Sequence, residues 1–462
     1  MSRNPPSTHF ELRCKLPCSA KEAFAWHERP GAFNRLNPPW DPVRVLEHVG
    51  GIKDGARVTI EVPLGPIPMR WTLEHRDYQK DVQFKDVQIR GPFASYAHTH
   101  RFHSAPPGDC ILEDSIDYRL PFAPFGDLFG SAFTKAKLEG LFKYRHRITT
   151  DDLKAHSQFA AAPRQTILVS GSSGLVGSQL VPYLSTAGHT VKRLVRKDQS
   201  KDPNEICWDP KVRVLFPSLT GIDAVVHLAG DGIANGRWTK AKKARIRDSR
   251  IQGTRTLCES LIALTPRPKV LICASAIGIY GNRGEELLTE NSTHGDGFLA
   301  EVTKEWEEAS QIAIDAGIRV VHLRFGVVLS PAGGALQKML PPFRLGLGGK
   351  LGDGAHWMSW IALDDVLGLI EHAIHTEQLY GGLNAVAPVP ITNADFTSCL
   401  GTVLKRPTLF TVPRIAAELA FGEIAKEALF SSARVSAGKA EASGYSFRFP
   451  KLEQALRHVL GK

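Results

Sequence analysis

The sequence predicts an α+β domain, then an α/β domain with a doubly wound parallel sheet, then a small, mostly helical C-terminal subdomain. Three observations carry this. Residues 9–120 alternate short extended runs with Gly, Pro and Asp turns before the pattern changes to a helical period. Gln165–Ser170 is a short apolar strand that runs straight into spaced glycines, and beyond it strand and helix alternate. A length of 462 residues suits two to four domains at about 100–200 residues each. The expected division is 1–150, a linker over 151–164, 165–390 and 391–462. With 43% hydrophobic and 23% charged residues, collagen-like, wholly disordered and small disulfide-framework classes are excluded.

The runs FELRCKLPC, VRVLEHVG, ARVTIEVPLG, MRWTLEHRDY, VQFKDVQIRG, YAHTHRFHS and CILEDSIDYRL read as an antiparallel sheet. Between the first two, Ser19–Phe33 opens with a serine cap and Glu22 three residues on, which predicts a short helix. From Asp127 to Thr149, Leu128, Ala132, Phe133, Leu138, Leu141, Phe142 and Arg145 recur as an amphipathic helix able to lie across that sheet. The stretch DDLKAHSQFAAAPR (151–164) sustains no period and is the expected linker.

The order strand, helix, run of strands, long helix, with Pro39-Trp40 after the first helices, resembles the START-like, or SRPBCC, helix-grip domains over about residues 8–150. That resemblance implies a sheet wrapped on the long helix around an apolar cavity, with a small-molecule ligand as partner. Trp26, Trp40, Trp71, Phe84, Phe102 and Tyr118 are either the lining of such a cavity or ordinary core aromatics. His98 and His100 sit at strand spacing and could share a face, with His103 nearby. No neighbouring carboxylate or cysteine completes a ligand set in the linear sequence, so no metal is expected.

Seven cysteines from Cys14 to Cys399, without CxxC or zinc-type spacing, predict free thiols in a reducing compartment. The start, MSRNPPSTHFELR, lacks the apolar core of a secretory leader, and no window reaches the roughly 18 uninterrupted apolar residues of a membrane helix. A cytoplasmic protein without a membrane span is expected. The net charge of +10 is spread, with 22 Lys and Arg against 19 Asp and Glu in residues 1–155 and 35 against 28 thereafter. No basic footprint is concentrated as nucleic-acid binding requires, so no nucleic-acid partner is expected. The sequence leaves the oligomeric state open.

Strands at Thr190–Val195, Ala224–Leu228, Lys269–Ala274 and Arg319–Phe325 alternate with helical stretches, which predicts a parallel sheet covered on both faces. Gly171, Ser172, Ser173, Gly174, Leu175, Val176 and Gly177 form G-x-x-G-x-x-G between the strand Gln165–Ser170 and a helix. A second strand, HTVKRLV, follows at βαβ distance. This is the setting of a Rossmann dinucleotide site. The first glycine permits the turn, the second admits the pyrophosphate, the third lets helix and strand pack, and the helix N-terminus offers N–H groups to phosphate. At the end of the second strand no acid stands ready for ribose hydroxyls; Arg193 and Arg196, with Lys197, occupy that place. Cations there favour the 2′-phosphate of NADP(H) over NAD(H), the other reading being solvated strand-end residues. Asp209, after Trp208, and Leu228, Ala229 and Gly230 lie at the carboxyl ends of further strands, where cofactors bind open parallel sheets.

The pieces ILVSGSSGLVGSQL, AVVHLAGDGIANGRWTKAKKARIRDSRIQGTRTL, ASAIGIYG, GFLAEVTKEWE, LRFGVVLSPAGGAL and MSWIALDDV together resemble the extended short-chain dehydrogenase/reductases. Within them the chain is similar to the atypical epimerase family, described as nucleoside-diphosphate-sugar epimerase-like. The tail from Pro413 is similar to the small domain of unknown function appended to that subgroup. The resemblance implies a Ser, a Tyr and a Lys four residues after it as catalytic groups. The Ser position falls on Ala276, with Ser275 one residue earlier, the Tyr position on Leu299 and the Lys position on Thr303. All three roles stand vacant. Tyr280 could serve as acid/base with Lys304 as partner and Ser275 beside the cofactor, or it could merely shape the pocket.

The segment Arg237–Arg255 carries Arg237, Lys240, Lys242, Lys243, Arg245, Arg247, Arg250 and Arg255 against Asp248 alone. Lys243, Arg247 and Arg250 fall near one helical face, either as an anion clamp or as a solvated charged face. Arg237 and Trp238 follow a strand end and are candidates to close over substrate, with Arg250 beside them. Asp364 and Asp365 are expected to cap a helix. The expected function is an NADP(H)-binding oxidoreductase acting on a small substrate. The alternative is an NADP(H)-responsive ligand-binding protein without turnover, and a nucleotide-sugar epimerase or dehydratase stands third.

Overall fold

The computed structural model describes residues 7–64, 67–121, 125–197, 199–212, 219–234 and 236–462, with backbone alone at 63, 64, 67 and 125–129. Residues 1–6, on which the reading of a leader partly rests, and the Leu128 side chain lie outside what is described. The chain divides into two compact units. The first is built on residues up to Ala162, and the second on Pro163 onward apart from Pro182–Gly188 and Gly461.

The first unit holds seven strands: β1 (Thr8–Leu16), β2 (Arg44–Val49), β3 (Arg57–Leu64), β4 (Ile67–Gln79), β5 (Gln83–Arg90), β6 (Ser95–Ala105) and β7 (Asp109–Arg119). They form one antiparallel sheet in the order β1-β7-β6-β5-β4-β3-β2. Between β1 and β2 lie α1 (Ala20–Glu28) and α2 (Ala32–Arg35). Ser19 caps α1 as expected, its hydroxyl accepting from the Glu22 N–H at 3.2 Å. The long helix α3 spans Phe125–Ser157. Trp26, Phe84, Phe102 and Tyr118 are buried, and Trp40 and Trp71 pack against the same clusters. Their apolar area therefore goes into core packing.

Two expectations change here. The linker expected at 151–164 is helical to Ser157, because Asp152 is fully buried and grips Arg35 through two hydrogen bonds, Nε to Oδ2 at 2.8 Å and Nη2 to Oδ1 at 2.9 Å. A polar residue in the linear pattern is here the partner of a buried guanidinium. His98 and His100, both buried, also do have carboxylate neighbours: Asp86 on β5 and Asp114 on β7 stand directly across from them. Linear spacing hides such pairs, since adjacent strands bring together residues 12 or more apart in sequence.

In the second unit, β8 (Thr166–Ser170), α4 (Gly177–Thr186), β9 (Thr190–Val195), β10 (Glu205–Cys207), β11 (Ala224–His227), α5 (Lys240–Ile262) and β12 (Val270–Ala276) follow in turn. A 3₁₀ turn at Ile277–Tyr280, α6 (Phe298–Glu308) and the strands Arg319–Phe325 and Gly381–Ala385 complete the layer. The sheet is parallel in the order β10-β9-β8-β11-β12, then Arg319–Phe325 and Gly381–Ala385. Strand order reverses between β8 and β11, and the glycine turn opens at that switch point. No described helix is long and apolar enough to cross a membrane.

Asp364 and Asp365 do not cap their helix, Leu363–His375, whose N-cap is Ala362. Asp365 instead accepts from the backbone N–H of Arg448 at 2.6 Å and of Phe449 at 3.1 Å, and Asp364 pairs with His458 at 2.9 Å. Burial pushes Asp365 up to about 6 against the pull of those amides. Replacing Asp152 by Ala leaves Arg35 charged in the core and should cost about 3–5 kcal/mol of stability in urea denaturation. A loss under about 1 kcal/mol would show that the pair does not hold α3.

Candidate functional site

The glycine turn is built by contacts that leave no room for a Cβ. Gly171 has φ +69°, and a Cβ there would lie 2.7 Å from the Leu228 carbonyl carbon, so the turn presses on the end of β11. A Cβ on Gly177 would lie 2.3 Å from the Gly171 oxygen, so α4 begins directly against the turn. Gly174 differs. A Cβ there meets only the Gly171 oxygen, at 3.3 Å, which leaves its outer side clear for a ligand at the N-terminus of α4. Ser173 and Gly174 are exposed, and Ser172, Leu175 and Val176 are half-buried.

Across the switch point the Leu228 N–H donates to Ser170 O at 3.2 Å, and Ala229 and Gly230 follow at the sheet's carboxyl edge. Beneath them Ser170 Oγ and His227 Nδ1 are 2.6 Å apart, His227 Nε2 and Thr254 Oγ1 3.0 Å, and the Trp306 indole N–H donates to the same Thr254 oxygen at 2.9 Å. Burial drives His227 down to about 4, so it is neutral at pH 7. Arg250 stands beside Gly230. Its Nη1 donates to Asp231 O and Ile246 O, both at 3.0 Å, and its guanidinium lies 5.0 Å from the Trp306 ring centroid. Burial lowers it to about 10, still a cation. The side chain expected near substrate thus borders the strap beyond β11.

At the end of β9 the three cations divide. Arg193 is held by Asp202 at 2.5 Å and Glu205 at 3.2 Å, and Lys197 by Glu205 at 2.9 Å. Their acids lie 8 to 12 residues downstream, Asp202 in the β9–β10 connection and Glu205 at the start of β10, so no partner is visible in the local sequence. Arg196 is exposed and makes no ion pair or hydrogen bond among the described residues. It borders a surface depression of about 430 Å³ shared with Lys197, Cys207, Trp208, Asp209, Pro210 and Lys211. Asp209 Oδ1 accepts from the Lys211 N–H at 2.9 Å, fixing the turn that forms one wall.

The groups proposed for catalysis are not brought together. Tyr280 is fully buried, donates to Asn384 Oδ1 at 2.7 Å and accepts from Arg324 Nη1 at 2.9 Å; burial raises its phenol. Lys304 is on the surface, 3.9 Å from Glu308. Ser275 Oγ donates to Glu307 Oε1 at 2.6 Å, and Glu307 takes Arg324 in a two-pronged pair, both contacts at 2.9 Å. Ser275, Glu307, Arg324, Tyr280 and Asn384 are therefore one buried network. A clue to it was the arginine inside the apolar strand LRFG, since a cation there needs an acid. Leu299 and Thr303 pack near Gly278, and the Thr303 hydroxyl donates to Leu299 O at 2.7 Å.

The basic segment is largely neutralised by acids from elsewhere. Lys243 pairs with Glu423 at 2.7 Å and lies 4.4 Å from the Phe298 ring centroid, Lys242 pairs with Asp231 at 2.7 Å, and Arg247 donates to Glu305. Arg237 donates to Leu419 O, and the Trp238 indole donates to Ile233 O at 2.8 Å with its ring edge-on to Phe298. These side chains are spent on the chain itself rather than held open as a clamp.

Residues 167–381 match the NAD dependent epimerase/dehydratase family, 412–459 a domain of unknown function (DUF1731), and 16–141 the family described as polyketide cyclase / dehydrase and lipid transport. An epimerase family protein of Mycobacterium bovis is 42% identical over 294 residues, 63% of this chain and 97% of that protein. The chain belongs to the epimerase family. This epimerase-family chain is also similar to a nucleoside-diphosphate sugar epimerase from Corynebacterium glutamicum, at 34% identity and TM-score 0.79, over 98% of this chain and 90% of that one. It is similar, too, to the human epimerase family protein SDR39U1 in its structure with NADPH, at 33% identity and TM-score 0.60, over 64% of this chain and 99% of that one. The chain joins an N-terminal α+β domain of polyketide-cyclase type to the parallel sheet of the epimerase family and a helical C-terminal region.

Because the folded epimerase-family chain keeps His227 neutral while the unfolded chain protonates it below its ordinary 6.5, its contribution is complete above pH 6.5 and is lost as pH falls toward 4. At about 1.4 kcal/mol per pH unit that amounts to roughly 3 kcal/mol. His227→Gln should flatten this part of the stability-pH curve measured by urea denaturation; an unchanged slope would assign it to other groups.

Proposed function

We propose that the protein binds NADP(H) in preference to NAD(H) along the carboxyl edge of its parallel sheet and acts as an oxidoreductase on a small substrate. The observation that carries this is Arg196, a cation at the end of β9 with no acid partner among the described residues, on the rim of the depression lined by Trp208 and Asp209. A 2′-phosphate there would gain a charge-assisted hydrogen bond without breaking an existing pair. The open side of Gly174, at the head of α4, suits the diphosphate, and Leu228, Ala229 and Gly230 would line its path across the switch point. NADPH in the human relative supports the same reading. When bound, the dinucleotide would exchange a hydride at its nicotinamide ring. The N-terminal domain, of the polyketide cyclase and lipid transport type, would capture or present a small molecule.

A second reading, cofactor-responsive binding without turnover, is favoured by one specific arrangement. Ser275, Tyr280 and Thr303 each spend their hydroxyl proton on a neighbour, and Lys304 points to solvent. No described hydroxyl among these is poised as general acid, which also weighs against oxidation at a sugar carbon. Nucleotide-sugar epimerisation therefore comes third.

Arg196→Asp should weaken NADPH binding roughly 10- to 100-fold in calorimetry, the worth of one charge-assisted hydrogen bond, while NADH stays within about twofold. Equal losses for both remove the 2′-phosphate assignment. Gly174→Val should abolish both by filling the open side of the turn. Transfer of label from 4-deuterated NADPH to a panel of small carbonyl compounds supports the oxidoreductase; tight binding without transfer supports the second reading.

A further inference from the structure

Far from the glycine turn in sequence, the sheet of the first unit carries a buried constellation that the dinucleotide has no use for. It is assembled by register. Asp86 on β5 is paired with His98 on β6, His100 on β6 with Asp114 on β7, and His75 on β4 with Asp86. They therefore occupy two neighbouring levels of one face of the sheet, His75, Asp86 and His98 on the first and His100 and Asp114 on the next, and His146 reaches Asp114 from α3.

The distances within the group have a pattern. Asp86 Oδ2 lies 3.6 Å from His98 Nδ1 and 3.4 Å from His100 Nε2. These are too long for good hydrogen bonds and match the separation of about 3.4 Å between ligand atoms placed tetrahedrally at roughly 2.1 Å from one ion. The three ligand atoms all fall within 4.8 Å of one another. The outward nitrogens of the same two rings converge on a single oxygen: His98 Nε2 is hydrogen-bonded to Asp114 Oδ1 at 2.8 Å, and His100 Nδ1 is 2.7 Å from it, off the hydrogen-bond axis. His146 Nε2 holds the other Asp114 oxygen at 2.6 Å, and His75 Nε2 lies 2.9 Å from Asp86 Oδ1. This is how metal-binding imidazoles are usually held, each turned by a carboxylate on its far nitrogen so that the near one faces the ion. Both His98 and His100 are at least 95% buried, so the rings are aimed inward rather than at water.

We propose that Asp86, His98 and His100 form a binding site for a divalent first-row transition cation in the N-terminal domain, with Asp114 as the residue that positions both imidazoles. Two imidazoles and one carboxylate select such ions over calcium or magnesium, which take oxygen ligands. One dication would balance the two buried carboxylates, Asp86 and Asp114, without requiring charge on any imidazole. Three protein ligands leave coordination open for water or for an oxygen of whatever molecule the domain holds, as at centres that bind substrate rather than merely staple a fold.

The test uses the full chain, freed of metal by chelator and titrated with Co²⁺ and Zn²⁺ separately. About one equivalent per chain should bind, with cobalt giving visible d–d absorption. Asp86→Asn and His98→Gln should abolish it. Asp114→Asn should weaken it about 10- to 100-fold while the cobalt spectrum survives at saturation. His103→Gln, on the exposed side beside Glu113, should change nothing. X-ray absorption of the zinc-loaded wild type checks the same assignment without any variant: two imidazoles and no sulfur are expected. Failure of the wild type to take up either ion at tens of micromolar, sulfur in the zinc shell, or binding indifferent to Asp86→Asn and His98→Gln each overturns the site.

Discussion

The second unit depends on backbone meeting backbone where β8 ends. Gly171 sits against the carbonyl of Leu228, and Gly177 against the oxygen of Gly171, so strand, neighbouring strand and helix meet with no side chain between them. A methyl group at either position would push them apart by more than a packed core tolerates. That closeness lets α4 aim its N-terminus at the carboxyl edge of the sheet, and it sets the height of Gly174, where the chain has room for something else. Below the turn, the chain Ser170, His227, Thr254 and Trp306 ties two strands and two helices into a floor whose polar atoms are all satisfied.

Much of this was legible before any coordinates. Seven extended runs became seven strands, Ser19 became a cap, and the G-x-x-G-x-x-G turn fell at a strand-to-helix junction, because each of these features is local. The helix continues into 151–157, unmarked by hydropathy because a buried ion pair leaves no trace there; Asp152 has the look of a linker residue until Arg35 is seen beside it. The partners of Arg193 and Lys197 are hidden for the mirror-image reason, since Asp202 and Glu205 come only further along the chain, while Arg196 has none among the described residues. Residue type was legible and partnership was not.

Partnership also decides the reading of the catalytic groups. Ser275 and Tyr280 near the end of β12, with Lys304 on α6, have the composition of an active site, yet Glu307, Arg324 and Asn384 take the first two as hydrogen-bond partners. The same logic runs the other way in the first unit. There His98 and His100, without a ligand set in one dimension, acquire Asp86 and Asp114 from adjacent strands, since a sheet sorts side chains by register and not by sequence distance.

The tail is no appendage. Asp365, deep in its helix layer, has its charge answered mainly by main-chain amides of Arg448 and Phe449. A chain cut short ahead of those two residues would leave Asp365 only the Tyr445 hydroxyl in an apolar interior, so residues 448–462 complete the wall of the domain they follow.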